Sequence, residues 1–256
     1  MKQATIEALD RVNRDFYVAE ADEFSATRRK PWPAWDRVLE RFISNRGMEH
    51  AGHSILDVGC GNGRFASLLE QSLGASWSYL GIDASPVLTS HCRSGGVHER
   101  RLVVADIVNT SLPFGQRSAS FDLIVVFGVL HHVPSWEKRR SLLVDLAGHL
   151  RPEGVLAVSF WQFGAESRFS KRLIDWNEHN RTAPEMIEVE DLEKGDHLLR
   201  WGDGEAVRYC HHVDPVEAAE LTAAAGLRRL ETFRADGASG SLNLYHLLQN
   251  HVLSES

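Results

Sequence analysis

Between Ser54 and Arg64 the chain reads Ser-Ile-Leu-Asp-Val-Gly-Cys-Gly-Asn-Gly-Arg. A short apolar run that ends in Asp57 and is followed by Gly59, Gly61 and Gly63 predicts a buried strand, a tight turn and a helix opening just beyond it. A side chain at any of the three glycines would block a ligand's approach to the backbone or forbid the dihedrals of the turn, so the stretch suits a nucleoside cofactor. Asp57, at the strand's carboxyl end, projects into the crevice where open α/β sheets bind ligands. A second strand, Trp77 to Asp83, also ends in an acid, and a third, Arg101 to Ala105, is followed by Asp106. A carboxylate at the place of Asp83 accepts hydrogen bonds from both ribose hydroxyls in nucleotide-binding folds, and it also suits a strand-end role beside the helix beginning near Ser85. The apolar run Phe121 to Phe127 then leads to His131 and His132. Adjacent histidines point different ways and make a poor metal pair, which leaves substrate positioning or structural hydrogen bonding, and no metal site is expected.

Two cofactors compete for the glycine loop. Gly61, Gly63 and Ala66 fit the dinucleotide spelling G-x-G-x-x-A, which would make the chain an oxidoreductase. Counted from Gly59, however, the sixth position is Arg64, where that pattern needs a small residue for helix-strand packing. Asp57-x-Gly59-x-Gly61-x-Gly63 instead resembles motif I of the class I S-adenosylmethionine (SAM) methyltransferases, whose loop holds the amino-acid end of the cofactor. That resemblance implies cofactor contacts from Asp57, Gly59, Gly61, Gly63, Asp83, Asp106 and Phe127, with Asp106 accepting from the adenine amino group.

The elements that must position these residues follow from periodicity. Ile6, Leu9, Val12 and Phe16 recur at helical spacing, and after Pro31 and Pro33 a second helix carries Trp35, Val38, Leu39, Phe42 and Ile43. Residues 1–48 are therefore an amino-terminal helical segment, with the basic turn Arg28, Arg29, Lys30 at its junction. Helices over Phe65 to Leu73 and Ser135 to Leu150 alternate with the strands, and Arg151 to Gly154 turns the chain into a fifth strand, Val155 to Trp161. Residues 162–204 read as a polar insertion, a lid or substrate loop. Arg208 to His211 re-enters the domain as a turn, a helix spans Glu217 to Ala225, and strands over Leu227 to Arg234 and Leu242 to Leu248 close the sheet. The fold class is α/β: a doubly wound, Rossmann-like, mostly parallel sheet of seven strands in one domain over residues 1–256.

With 256 residues, 43% hydrophobic and 25% charged, the composition is that of a soluble globular protein. The amino terminus is too polar for a signal peptide and there is no long apolar run, so a cytoplasmic protein with no membrane partner is expected. Three cysteines, Cys60, Cys92 and Cys210, form no C-x-x-C pair and indicate neither a disulfide framework nor a zinc site. The net charge of −7 argues against nucleic acid, but eight acids between Glu185 and Glu205 against Lys194 and Arg200 supply −6 of it. Elsewhere there are basic clusters at Arg28 to Lys30, Lys138 to Arg140, and Arg168 with Lys171 and Arg172.

A narrower resemblance covers nearly the whole chain. Phe24, Ser25, Thr27, Arg28, Lys30, Pro31, Trp32 and Pro33, the Gly-Cys-Gly-Asn-Gly loop, His131 and His132 with Glu137, Arg139 and Arg140, Trp161, Gly195, Asp196, Leu198, Leu199 and Trp201, and Arg208, Tyr209 and His211 are similar to the eukaryotic tRNA carboxymethyluridine methyltransferases. Those enzymes methylate the carboxylate of a 5-carboxymethyl group on the wobble uridine, and they work with a small zinc-containing subunit. The resemblance thus implies a tRNA substrate and a small activating subunit, with a small carboxylic or hydroxylated metabolite as the alternative substrate and a non-catalytic RNA-binding or partner module as the alternative role. Asp83-Ala84-Ser85 and Cys210 depart from the family's Asp-Arg-Ser and Arg-Tyr-Tyr-His, and the acidic run is poorly suited to a tRNA backbone. A carboxylate acceptor is ionised at neutral pH and needs no general base, only groups that hold it. Arg28, His131, His132, Arg208 and His211 are the candidates.

Overall fold

The computed structural model describes residues 1–46, 52–73, 77–92, 99–108, 112–113, 120–202 and 204–250. Residues 47 and 48 of the expected amino-terminal helical segment and residue 203 of the insertion lie outside these residues. Helices α1 (Gln3–Thr27) and α2 (Ala34–Arg46) precede β1 (His53–Val58), α3 (Arg64–Ser72), β2 (Trp77–Asp83), α4 (Pro86–Ser90), β3 (Glu99–Val104) and β4 (Phe121–Val126). Then come α5 (Trp136–Ala147), β5 (Leu150–Trp161), α6 (Ser167–Ser170), β6 (Leu173–Ile174), α7 (Trp176–Asn180), β7 (Asp196–Arg200), β8 (Val207–His211), α8 (Pro215–Ala224), β9 (Arg228–Ala235) and β10 (Asn243–Gln249).

Seven strands form one sheet in the order β3-β2-β1-β4-β5-β10-β9, parallel through β5 and antiparallel at β10 and β9. The seven-stranded doubly wound sheet expected from the sequence is therefore present. β4 is buried at every position, as a strand covered on both faces must be. Its residues alternate between two cores: Leu123 and Val125 pack with Trp35, Phe42, Phe65 and Tyr245, and Ile124 and Val126 with Leu143, Leu146 and Leu221. The strand order reverses between β1 and β4, which opens a crevice at their carboxyl ends.

Two local expectations are corrected. Arg151 to Gly154 lies inside the long strand β5, because Glu153 takes a positive φ of 62° and its amide is satisfied by Asn250 O at 2.7 Å, making an irregularity rather than a turn. Arg208 to His211 belongs to strand β8, which with β6 and β7 makes a second, antiparallel sheet of three strands. The insertion after β5 is thus a folded unit, and Leu198 and Tyr209 of that sheet pack with Ala8 and Leu9 of α1. Among the described residues no helix is long and apolar enough to cross a membrane.

Charge fastens the small sheet to the domain. Arg139 of α5, fully buried, pairs with Glu193 at 2.5 Å and Glu217 at 2.8 Å. His211 lies between Asp196, 2.7 Å from Nδ1, and Glu217, 2.9 Å from Nε2, and the Tyr209 hydroxyl donates to Asp196 at 2.7 Å. Burial opposes the charged form of His211, but the hydrogen bonds to Asp196 and Glu217 outweigh it and raise its pKa. The stabilisation from the ion pairs is fully present below the unfolded value of about 6.5 and is lost as pH rises through the raised folded value. His211→Gln is therefore expected to cost more stability in urea unfolding at about pH 6 than at about pH 9. An equal loss at both would show that His211 packs as a neutral ring.

Candidate active site

The crevice at the strand ends opens into a cavity of about 1120 Å³, roofed by α1 and the chain between α1 and α2. Asp57, Asp83 and Asp106 line it from the ends of β1, β2 and β3, together with Gly59, Gly61, Phe127, Arg28, His131, His132 and Arg208. Gly63 and His211 do not. Gly63 begins α3 in a left-handed conformation, and His211 is held in the ion-pair network facing a separate cavity of about 570 Å³.

The loop after β1 is fixed by backbone hydrogen bonds. Gly59 has φ +74°, and a Cβ there would come within 2.2 Å of Val129 Cγ2, so no other residue fits. The Gly61 amide donates to Asp83 Oδ2 at 2.9 Å and the Ser85 amide to Asp83 Oδ1 at 2.8 Å, while Ser85 caps α4 by accepting from Leu88 N. Asn62 donates to Ser25 Oγ and to Arg28 O, each at 3.0 Å, tying the loop to the end of α1. Asp57 accepts from the Tyr79 hydroxyl at 2.7 Å, yet burial pushes its pKa up to about 7. Phe127 stacks on Trp35 with ring centroids 5.4 Å apart and forms part of the wall.

On the opposite wall two guanidinium groups converge on one indole. Arg28 Cζ lies 3.6 Å from the Phe24 ring centroid and 4.7 Å from that of Trp201, and Arg208 Cζ lies 4.9 Å from Trp161 and 5.1 Å from Trp201. Arg28 donates only to Phe24 O and Thr27 Oγ1, and Arg208 Nε is buried without a hydrogen-bond partner. Among the described residues neither meets a carboxylate. Burial, then the charge of Arg208, lowers the Arg28 pKa to about 10, so Arg28 remains a cation at neutral pH.

The two histidines differ. His132 Nδ1 is 3.0 Å from Tyr209 O, which can only accept, so that nitrogen carries the proton, and Nε2 accepts from the Tyr17 hydroxyl at 3.0 Å. Burial and Arg208 bring its pKa down to about 3. It is a neutral ring with both nitrogens occupied. His131, tilted against His132 at 4.1 Å and edge-on to Trp161 at 5.0 Å, is also held well below its ordinary pKa by burial and, among the described residues, has a buried Nδ1 with no partner. Tyr17 and Asn13 were not singled out by the sequence reading. Asn13 accepts from Tyr209 N at 2.9 Å, and with Tyr17 one turn later it docks α1 on β8; the only sequence signal was their shared helix face at i and i+4.

A family model described as "Methyltransferase domain" matches residues 56–156. The tRNA (carboxymethyluridine(34)-5-O)-methyltransferase of Saccharomyces cerevisiae is 30% identical over 216 residues, covering 71% of this chain and 68% of that protein. The protein of the same name from Arabidopsis thaliana is 32% identical over 160 residues, which is 62% of this chain but only 34% of the relative. The chain thus spans about a third of the length of the Arabidopsis relative. Among solved structures, a SAM-dependent methyltransferase from Methanosarcina mazei superposes with a TM-score of 0.60 at 18% identity, over 88% of this chain and all of that one (100%). A methyltransferase from Haloferax volcanii, solved in complex with a methyltransferase activator, gives 0.59 at 16% identity, over 95% and 99% of the two chains. S-adenosylmethionine is the cofactor, and the cavity fits it: three strand-end carboxylates line one side, and nothing lies within 4 Å of where a Gly61 Cβ would project. The loop register, the strand-end acids and the similarity to the yeast enzyme agree, and the chain belongs to the tRNA (carboxymethyluridine(34)-5-O)-methyltransferase family of SAM-dependent methyltransferases.

Proposed function

We propose that this protein methylates the carboxylate of a 5-carboxymethyl group on the wobble uridine of cytoplasmic tRNA, giving a methyl ester. The observation that supports it is the pair Arg28 and Arg208, which line one cavity and, among the described residues, pair with no carboxylate. A substrate carboxylate supplies the missing charge and accepts from both guanidinium groups. The cofactor supplies an electrophilic methyl group. The chain's own residues hold the acceptor oxygen in line and exclude water, with Asp83 and Asp106 receiving the cofactor's ribose and adenine. No group need remove a proton, which accords with two histidines held neutral.

The rim supports an RNA substrate. Arg29 and Lys30 line the cavity beside Arg168 and Arg172, so two basic clusters far apart in sequence meet at one mouth. The acidic run does not oppose them as a free surface: Glu185 pairs with Arg11, Glu188 with Lys2, Glu193 with Arg139, and Asp191 accepts from the Lys2 amide. The proposal extends to a small activating subunit on the strength of the archaeal complex alone.

Three outcomes test this reading. At saturating cofactor, methyl transfer is expected to be flat from about pH 6 to 9, and the labelled product to release methanol in mild alkali. Arg28→Ala or Arg208→Ala should lower kcat/KM roughly 100-fold. An alkali-stable product would sink the carboxylate assignment.

Lys30→Glu with Arg172→Glu should weaken tRNA binding and flatten its salt dependence by about one unit of slope per lost phosphate contact. Binding that ignores both salt and these changes would favour a small carboxylic metabolite.

Asp57, with its folded pKa of about 7 above the ordinary unfolded range, ionises at a cost to the ligand-free fold as pH rises. A cofactor carrying a sulfonium charge favours the ionised form, so SAM affinity should rise between about pH 6 and 8, with proton release, and Asp57→Asn should abolish the trend. Calorimetry in buffers of different ionisation enthalpy reads both quantities, and a wild-type affinity independent of pH would contradict it.

A further inference from the structure

Cys60 and Cys92 are distant in sequence but share one peptide. Cys60 stands in the glycine loop, and Cys92 follows the residue that ends α4. Cys92 Sγ lies 3.3 Å from Gly61 O and Cys60 Sγ 4.0 Å from it, so both sulfurs converge on one carbonyl oxygen. Cys92 lies directly against the loop, since a Cβ on Gly63 would meet its Sγ at 2.9 Å. The N–H of the same residue, Gly61, in the preceding peptide unit, is the group held by Asp83. We propose that Cys60 and Cys92 form a peroxide-reactive dithiol that closes to a disulfide and so weakens the loop's hold on SAM.

The two sulfurs have different roles. The neighbouring Cys60 thiol lowers the pKa of Cys92, which is also the more exposed, whereas Cys92 and burial raise that of Cys60. Cys92 sulfur attacks one peroxide oxygen, the O–O bond breaks, and a sulfenic acid and one water result. Cys60 sulfur then attacks Cys92 sulfur, the S–O bond breaks, and the hydroxyl leaves with the Cys60 proton as a second water. Two thiols lose two electrons and the peroxide gains them. The disulfide has no S–H to donate to Gly61 O, and bonding draws two sulfurs that now sit separately beside that oxygen to about 2.05 Å, pulling the loop toward α4 and against its bond to Asp83. Cys210 is fully buried, with its pKa pushed up to about 12 by burial, and serves as an internal control.

The full chain is treated with hydrogen peroxide, quenched, alkylated and split between intact mass with peptide mapping and calorimetry with SAM. The expected result is a loss of about 2 Da, a Cys60–Cys92 linked peptide and a SAM dissociation constant raised about tenfold or more, reversed by dithiothreitol. Cys92→Ser and Cys92→Ala, each compared with itself before and after peroxide, should show neither the linkage nor the affinity change. The inference rests on SAM occupying the large cavity, so reduced protein supplies the reference for affinity, while the linkage is read by mass independently of binding. Two free, alkylatable thiols after peroxide, or a disulfide that leaves the affinity unchanged, would overturn the proposal.

Discussion

Two like charges buried in one cavity constrain much of this structure. Arg28 and Arg208 cannot be placed there at neutral pH without something to offset the repulsion and lost hydration. The protein uses aromatic faces for this: Phe24, Trp161 and Trp201 lie under the guanidinium groups, and their negative π faces partly replace water. Burial, reinforced by the same two cations, keeps the neighbouring histidines uncharged, because protonating His131 or His132 would add a further desolvated positive charge. Among the described residues no carboxylate lies within ion-pair distance of either arginine, although Asp57, Asp83 and Asp106 line the same cavity from the strand ends.

Holding the two arginines together requires three separate parts of the chain to meet. Arg28 comes from the end of α1, Arg208 from β8, and Trp201 from the segment joining β7 to β8. Asn13, Tyr17 and His132 bind α1 to β8, and Asn62 binds the end of α1 to the glycine loop, so the glycine loop and the arginine wall are mechanically joined. Behind β8, Arg139, His211 and their acids form an anchor that never reaches the reacting groups. Its role is to fix the strand from which Arg208 projects.

Net charge alone misleads here. Four acids of the insertion, Glu185, Glu188, Glu193 and Asp196, are paired with Arg11, Lys2, Arg139 and His211, whereas the exposed residues Arg29, Lys30 and Arg172 line the mouth. A negative chain can therefore present a positive entrance, because the field near a polyanion depends on where charges sit and which are already paired.

The sequence by itself determined the sheet and the cofactor loop. Both rest on local rules: apolar runs of strand length, glycines where a side chain would collide, and acids at strand ends, each readable within a few residues of itself. The period of the first two helices and the final antiparallel pair were legible for the same reason. Only the tertiary structure decided the acceptor side. His132 and His211 read as substrate candidates by residue type, yet one is filled by Tyr17 and Tyr209 and the other by Asp196 and Glu217, partners remote in sequence for the first and on neighbouring elements for the second. Arg208 to His211 read as a turn because its alternation is polar on both faces, and it becomes a strand because β7 supplies the hydrogen bonds. Tyr17 carried no motif at all. Hydrogen-bond partners and ion pairs between distant segments leave no periodic trace in the chain, so which cation is free and which is neutralised emerges only when the segments meet.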